Sequence, residues 1–214
     1  MSLSPTKELE AINTMLTSIG ELPVQNKDDL AGLQDASIAQ SILTNVSRAT
    51  QAKGWVFNTD LEETMSLDDN KQVVLGKNVL RIDTTARVRG SKTDIVERGR
   101  KLYDRQKKTF TFDADDVIKC DVVYYLSFED LPEPARRYIA IKSARIFHDR
   151  VVGSGELHRF YQEDEMRAYT DLMSYEGDVA DYNIFDNYDV YRVMDRQGLA
   201  TNPLNYNVID TATT

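Results

Sequence analysis

The spacing of apolar residues changes twice along this chain, and no other feature limits the fold so much. Leu9, Ile12, Leu16 and Ile19 recur at intervals of three and four, as do Ile38, Ile42, Val46 and Ala49. That is the period of one face of a helix. Gly54 then precedes the one tryptophan, Trp55, and a Val-Phe pair. From there to about residue 130 the pattern is that of strands. QVVL (72–75), NVLRI (78–82), TFTF (109–112) and VIKCDVVYYLSF (117–128) are rich in β-branched and aromatic residues, and GRKLYDR (99–105) reads as a further short strand. After LPEP (131–134) the helical period returns.

These switches predict an α+β fold: a helical bundle of about four helices with an inserted antiparallel β subdomain and an extended C-terminal arm. The helical body takes residues 1–54 and 131–176, the β subdomain 55–130, and the arm 177–214. The first helix is expected to start at Ser4-Pro5 and end at Gly20, with Pro23 beyond it. The second fits 35–53, capped by Asp35 and ended by Gly54. Pro134 suits the first turn of a third, whose face is Ile139, Ala140, Ser143, Ala144, Phe147 and Val151. A corner at Gly153-Ser154-Gly155 leads to a fourth over 155–176. Its apolar side is Leu157, Phe160, Tyr161, Ala168, Leu172 and Tyr175. No stripe of this width is stable alone, so each helix needs a partner. Gly54, Trp55 and Phe57 fall where body and insert must join.

Composition bounds the class. With 41% hydrophobic and 29% charged residues the 214-residue chain can bury a core, which separates it from disordered sequences. No apolar run reaches the roughly 18–20 residues of a membrane span, and the start, MSLSPTKELEAI, lacks the basic and apolar regions of a secretory signal. Synthesis in the cytoplasm and no membrane partner are therefore expected. The net charge of −9 is unevenly spread. Residues 81–108 hold ten basic and four acidic residues, a net +6, which leaves −15 elsewhere. Arg98, Arg100 and Lys101 lie at the centre of that segment and are candidates for partner binding. The segment can meet phosphate or a protein's acids. Seven of the eleven tyrosines follow residue 160. Tyr182, Tyr188 and Tyr191, in a polar stretch with no period, suit an arm that grips another surface, because tyrosine gives large contact area at low entropic cost.

A catalytic constellation does not emerge. His148 and His158 match no metal spacing, and no cysteine pair joins them. Cys120, the one cysteine, reads as a small buried hydrophobe, with a Cys120–His148 dyad as the reactive alternative. Glu163, Asp164 and Glu165 are consecutive, so they point to different sides of a helix. The paired carboxyls of a glycosidase need a second member from elsewhere. The other reading is ion pairing with Arg136, Arg137, Arg145 or Arg150. No catalytic, cofactor or metal residues are assigned.

The order of segments resembles the tail tubular protein A family of short-tailed phages. Ala11, Asn13, Leu16, Ile19, Gly20, Glu21, Pro23 and Val24 fit a recurrent opening motif. Gly54, Trp55, Phe57 and Asn58 fit a glycine–tryptophan–x–phenylalanine–asparagine junction. Lys142, Ala144, Arg145 and Phe147 fit a later helix, and EDEMRAY (163–169) continues the match over roughly 8–180. The resemblance implies a virion structural protein of the phage tail, not an enzyme. It would form a head-to-tail adaptor ring, twelve-membered in the family, between the portal protein and the tail nozzle protein. With the nozzle it would carry the tail fibre, and DNA would pass through without tight binding. Two other readings remain at this stage: a virion-associated carbohydrate-degrading enzyme using carboxylates, and a DNA-binding module using 81–108.

Overall fold

The computed structural model describes residues 5–84, 94–113 and 117–180, without the side chains of Ala31, Glu156 and Leu157. The chain separates into two compact units, Met1–Glu176 and Gly177–Thr214. The arm expected over 177–214, with Tyr182, Tyr188 and Tyr191, lies from residue 181 onward outside the described residues. So do Ser4, Arg87, Arg89 and Lys92.

The first unit holds four helices, α1 (Glu8–Ser18), α2 (Gln34–Gln51), α3 (Glu133–Val151) and α4 (Gly155–Val179), the last of which runs on past its end. Among the described residues it also holds five strands: β1 (Thr59–Thr64), β2 (Val79–Thr84), β3 (Ile95–Arg98), β4 (Lys101–Asp104) and β5 (Lys119–Tyr124). The fold is α+β. The helices enclose one core around Ile12, Met15, Leu16, Leu43, Ile139 and Phe147. A second core, around Ile82, Ile95, Leu102, Cys120 and Val122, belongs to the strands and the loops between them.

The stripes of α1 and α2 pack inward much as their spacing requires. Ala11, Ile12, Met15 and Leu16 are buried on α1, and Ala39, Ile42, Leu43 and Val46 on α2. The start of α1 differs from expectation. It begins at Glu8, because Thr6 is held elsewhere: its N–H and hydroxyl both donate to the Glu133 carboxylate, at 2.8 and 2.6 Å. Arg136 Nη1 donates to the Thr6 carbonyl at 3.0 Å. This extended segment is pinned to the start of α3 and cannot continue the helix backward. Asp35 is inside the first turn of α2, not at its cap. In α3, Tyr138 and His148 join the buried face while Val151 is exposed. Among the described side chains of α4, Ala168 and Leu172 are buried and Phe160 is exposed; Leu157 lies outside them. The seam of α4 is narrower than its period suggests, and tyrosines and ion pairs fill the rest of it.

β5 is the centre of a three-stranded antiparallel sheet ordered β1–β5–β2, with Thr59 opposite Val123 and Ile82 opposite Val122. β1, TDLEET, was not expected as a strand. It has none of the usual pattern but supplies the hydrogen bonds that one edge of β5 needs. A bulge at Glu62, φ 56°, kinks it, and the Glu62 N–H donates to Asp121 at 3.0 Å. QVVL and TFTF are not strands. Val73, Leu75 and Phe112 still fill the second core, and only single bridges at Val74 and Thr109 join their segments to β4. β3 and β4 form a separate hairpin.

Candidate functional site

The joint between the two cores begins at Gly54. Its φ of +78° is left-handed, and a Cβ there would lie 2.5 Å from Arg81 Nη2 and 3.1 Å from Val123 Cγ2. A side chain there would be strained by the conformation and would have to displace the end of Arg81 and crowd Val123. The reversal drops Trp55, 5% exposed, into the helical core, where its indole N–H donates to the Thr50 carbonyl at 2.8 Å. Phe57 stacks on it at 6.2 Å and Tyr169 meets it edge-on at 6.5 Å. Two buried amides complete the joint. Asn58 accepts from the Trp55 N–H (2.8 Å) and donates to the carbonyls of Gln51 (3.0 Å) and Tyr124 (2.7 Å). Gln51 accepts from the Leu126 N–H at 2.7 Å and donates to the Leu126 carbonyl at 3.1 Å. The end of α2 is thereby bonded to the end of β5 through side chains alone. Gln51 carried no signal in the sequence. Asn58 stood in the junction motif, but its role there was not legible.

Beside the joint, α2, α3 and α4 leave a cleft of about 480 Å³ lined by Lys53, Tyr138, Arg145, Glu165 and Tyr169 among others. Arg145 binds Glu165 at 2.5 Å and Asp149 at 3.2 Å, and its guanidinium is held further into the charged range, chiefly by the Glu165 hydrogen bond. Lys142 Nζ is 3.8 Å from Glu165 and bonds the Tyr138 hydroxyl at 3.0 Å. Of the consecutive acids, Glu165 therefore ties α4 to α3. Glu163 and Asp164 face solvent near Arg167. Among the described residues Glu165 is the one carboxylate that lines the cleft.

The two reactive candidates belong to different places. Cys120 is fully buried in the β core, and burial, with help from Asp121, Asp83 and Glu63, pushes its thiol up to about 12. It stays protonated and unreactive at neutral pH. His148 is buried on α3 against the Tyr161 ring. His158 bonds Asp149 at 2.9 Å. Among the described residues no cluster of His, Cys, Asp and Glu suits a metal ion.

The basic residues singled out lie on and around the β3–β4 turn. Gly99 (φ +61°) and Arg100 (φ +64°) make a tight hairpin in which both central residues are left-handed. Arginine is strained there. Its guanidinium is engaged by the Val79 carbonyl at 2.9 Å, by the Gly76 carbonyl and by Glu97. Lys101 donates to Gln72 at 2.8 Å, and Arg98 covers the Tyr103 ring at 3.9 Å. Much of this charge holds the hairpin to the preceding loop.

A helical body is thus bonded through buried amides to a small β unit. The family model for tail tubular proteins matches residues 9–182, across both cores and their joint. The chain belongs to the tail tubular protein family, and with it to the structural components of the bacteriophage virion tail. Tail tubular protein A of Klebsiella phage KP34 is 29% identical over 160 residues, covering 74% of this chain and 81% of that protein. No helix among the described residues is long and apolar enough to cross a membrane.

Proposed function

We propose that this tail protein is the head-to-tail adaptor: a closed ring of about twelve copies that joins portal to nozzle, with head-to-tail contacts between unlike faces. The family match over 9–182 carries this reading, because it includes the helical body, the β unit and the motif that joins them. The ring contributes to the fibre attachment site and lines part of the path by which DNA leaves. A net charge of −15 outside residues 81–108 suits such a path, since a wall that held phosphates would slow the passage of DNA. The basic hairpin with Arg98, Arg100 and Lys101 then meets protein. The segment with Tyr182, Tyr188 and Tyr191 serves as an arm.

The test is the mass of the purified chain with and without portal protein. A complex of about twelve copies supports the reading, and a monomer under every condition ends it. The same preparation should bind duplex DNA no tighter than about 10⁻⁵ M at physiological salt. Submicromolar binding abolished by reversing Arg98, Arg100 and Lys101 to Glu would move the assignment to a DNA-binding module.

A further inference from the structure

We propose that the cleft between α2, α3 and α4 receives the acidic, tyrosine-rich segment 181–195 of a neighbouring copy of this chain. The inference rests on the adaptor reading and names one of the two unlike faces that a ring requires.

The cleft combines two features that point to one ligand chemistry. Its wall is aromatic: the rings of Tyr138 and Tyr169 lie 5.3 Å apart. Its rim is cationic. Lys53 Nζ lies 5.1 Å from the Tyr169 ring centre and Lys142 Nζ 5.3 Å from that of Tyr138, with Arg145 beside them. Glu165 is already engaged by Arg145 and Lys142. Glu165 and Asp149 answer two of the three cations, Arg145 and Lys142, so the positive charge left on this chain of −15 outside residues 81–108 is centred on Lys53. A space of about 480 Å³ holds a few side chains, not a large cofactor. The fitting ligand is a peptide that presents carboxylates and aromatic rings together.

The segment DYNIFDNYDVYRVMD, 181–195, has that chemistry. It carries four aspartates against one arginine, with three tyrosines and a phenylalanine. In an extended strip alternate residues share a side. Asp186 and Tyr188, like Asp189 and Tyr191, are two residues apart, the spacing that such a strip would put on one side. Either pair sets a ring against Tyr138 or Tyr169 while its carboxylate meets Lys53 or Lys142. The donor is another copy, because a ring propagates only by contacts from one chain to the next.

The experiment uses full-length chains and a charge exchange. One variant carries Lys53→Glu and Lys142→Glu, the other Asp186→Lys and Asp189→Lys. Each alone should self-associate about tenfold or more weakly than the unaltered chain, by like-charge repulsion at the contact. Mixed one to one they should assemble again, because each variant's segment now matches the other's cleft, and copies alternate around the ring. Thermal melts by circular dichroism confirm that each is folded. If the Lys142 change loosens α4, the single Lys53→Glu variant, altered at an exposed side chain, replaces it in the mixture. Assembly of either variant at the unaltered level overturns the proposal. So does rescue only when all four changes share one chain, or failure of a folded mixture to assemble. Rings from the unaltered chain with no effect of the variants would remove this contact and leave the adaptor reading standing. No rings at all, with or without portal, would remove both.

Discussion

The two cores are built in opposite ways. The helical core joins residues far apart in the chain, 11–55 and 128–172, most of them on helices whose apolar stripes face inward. The β core is drawn from 73–122, and much of it hangs on segments with no regular structure, such as Val73, Leu75 and Phe112. In the helices, position along an element decides burial. In the β unit, burial is decided by how loops fold over a small sheet, and β1 is a strand with no buried residue. Periodicity is therefore a sound guide to one half of the molecule and a weak guide to the other.

The sharpest way to break this comparison is to empty one core and watch the other. Phe147 is fully buried among the helices, and Phe147→Ala should cost about 3–5 kcal/mol. Trp55→Ala at the joint should cost a similar ~3–5 kcal/mol. For Phe147→Ala, urea unfolding followed by Trp55 fluorescence, which reports the helical core, and by hydrogen exchange in β2 and β5 should give coincident curves. Separate transitions would show that the joint does not couple the cores.

Leu102, fully buried beneath the hairpin, gives the reciprocal test. Leu102→Ala should destabilise by about 2–4 kcal/mol and leave the helical signal intact until the common transition. Loss of the β core alone, seen by hydrogen exchange in β2 and β5, would make it an independent folding unit.

Next comes the seam of α4. Arg145→Ala leaves half-buried Glu165 with Lys142 alone, 3.8 Å away, and should cost about 1–3 kcal/mol. Amides in α4 should lose protection before those in α2. Equal protection would mean that Ala168 and Leu172 hold the helix without the ion pair.

The last effect is absent at neutral pH and appears only under alkaline conditions. The folded Cys120 thiol is raised from 9.0 to about 12, so above pH 9 the unfolded chain releases a proton that the folded chain keeps. Its contribution is fully present below pH 9 and is lost between 9 and about 12, at up to roughly 1.4 kcal/mol per pH unit. Cys120→Val should flatten that limb of the stability curve, and an unchanged limb would show that the thiol titrates normally. Tyr124, raised by burial and its bond to Glu63, adds a second loss beginning above its ordinary 10.0.

What could be read in advance follows the same division. The stripes of α1 and α2, and the turn at Gly54, depend on neighbours in sequence and were legible. The start of α1 was not, because Thr6 is held by Glu133 from 127 residues away. TDLEET gave no hint of a strand, since its reason to pair lies in the open edge of β5. TFTF alternated cleanly and formed none. At the candidate site, an arginine partner for the acids of α4 was foreseeable, but the choice of Arg145 and Glu165, and the tyrosine pair beside them, depends on how two helices cross.

The amide bonds of Asn58 and Gln51 have a mechanical consequence. They tie two backbone strands of different origin, the last turn of α2 and the exit of β5, at a point screened from water. Any swing of the sheet about Gly54 would strand several donors and acceptors at once, each costing about 1–3 kcal/mol. The β unit is thus cantilevered. A load on its outer end passes into the helices as torque instead of being absorbed by a hinge, so a tug there is felt across the whole body of the subunit.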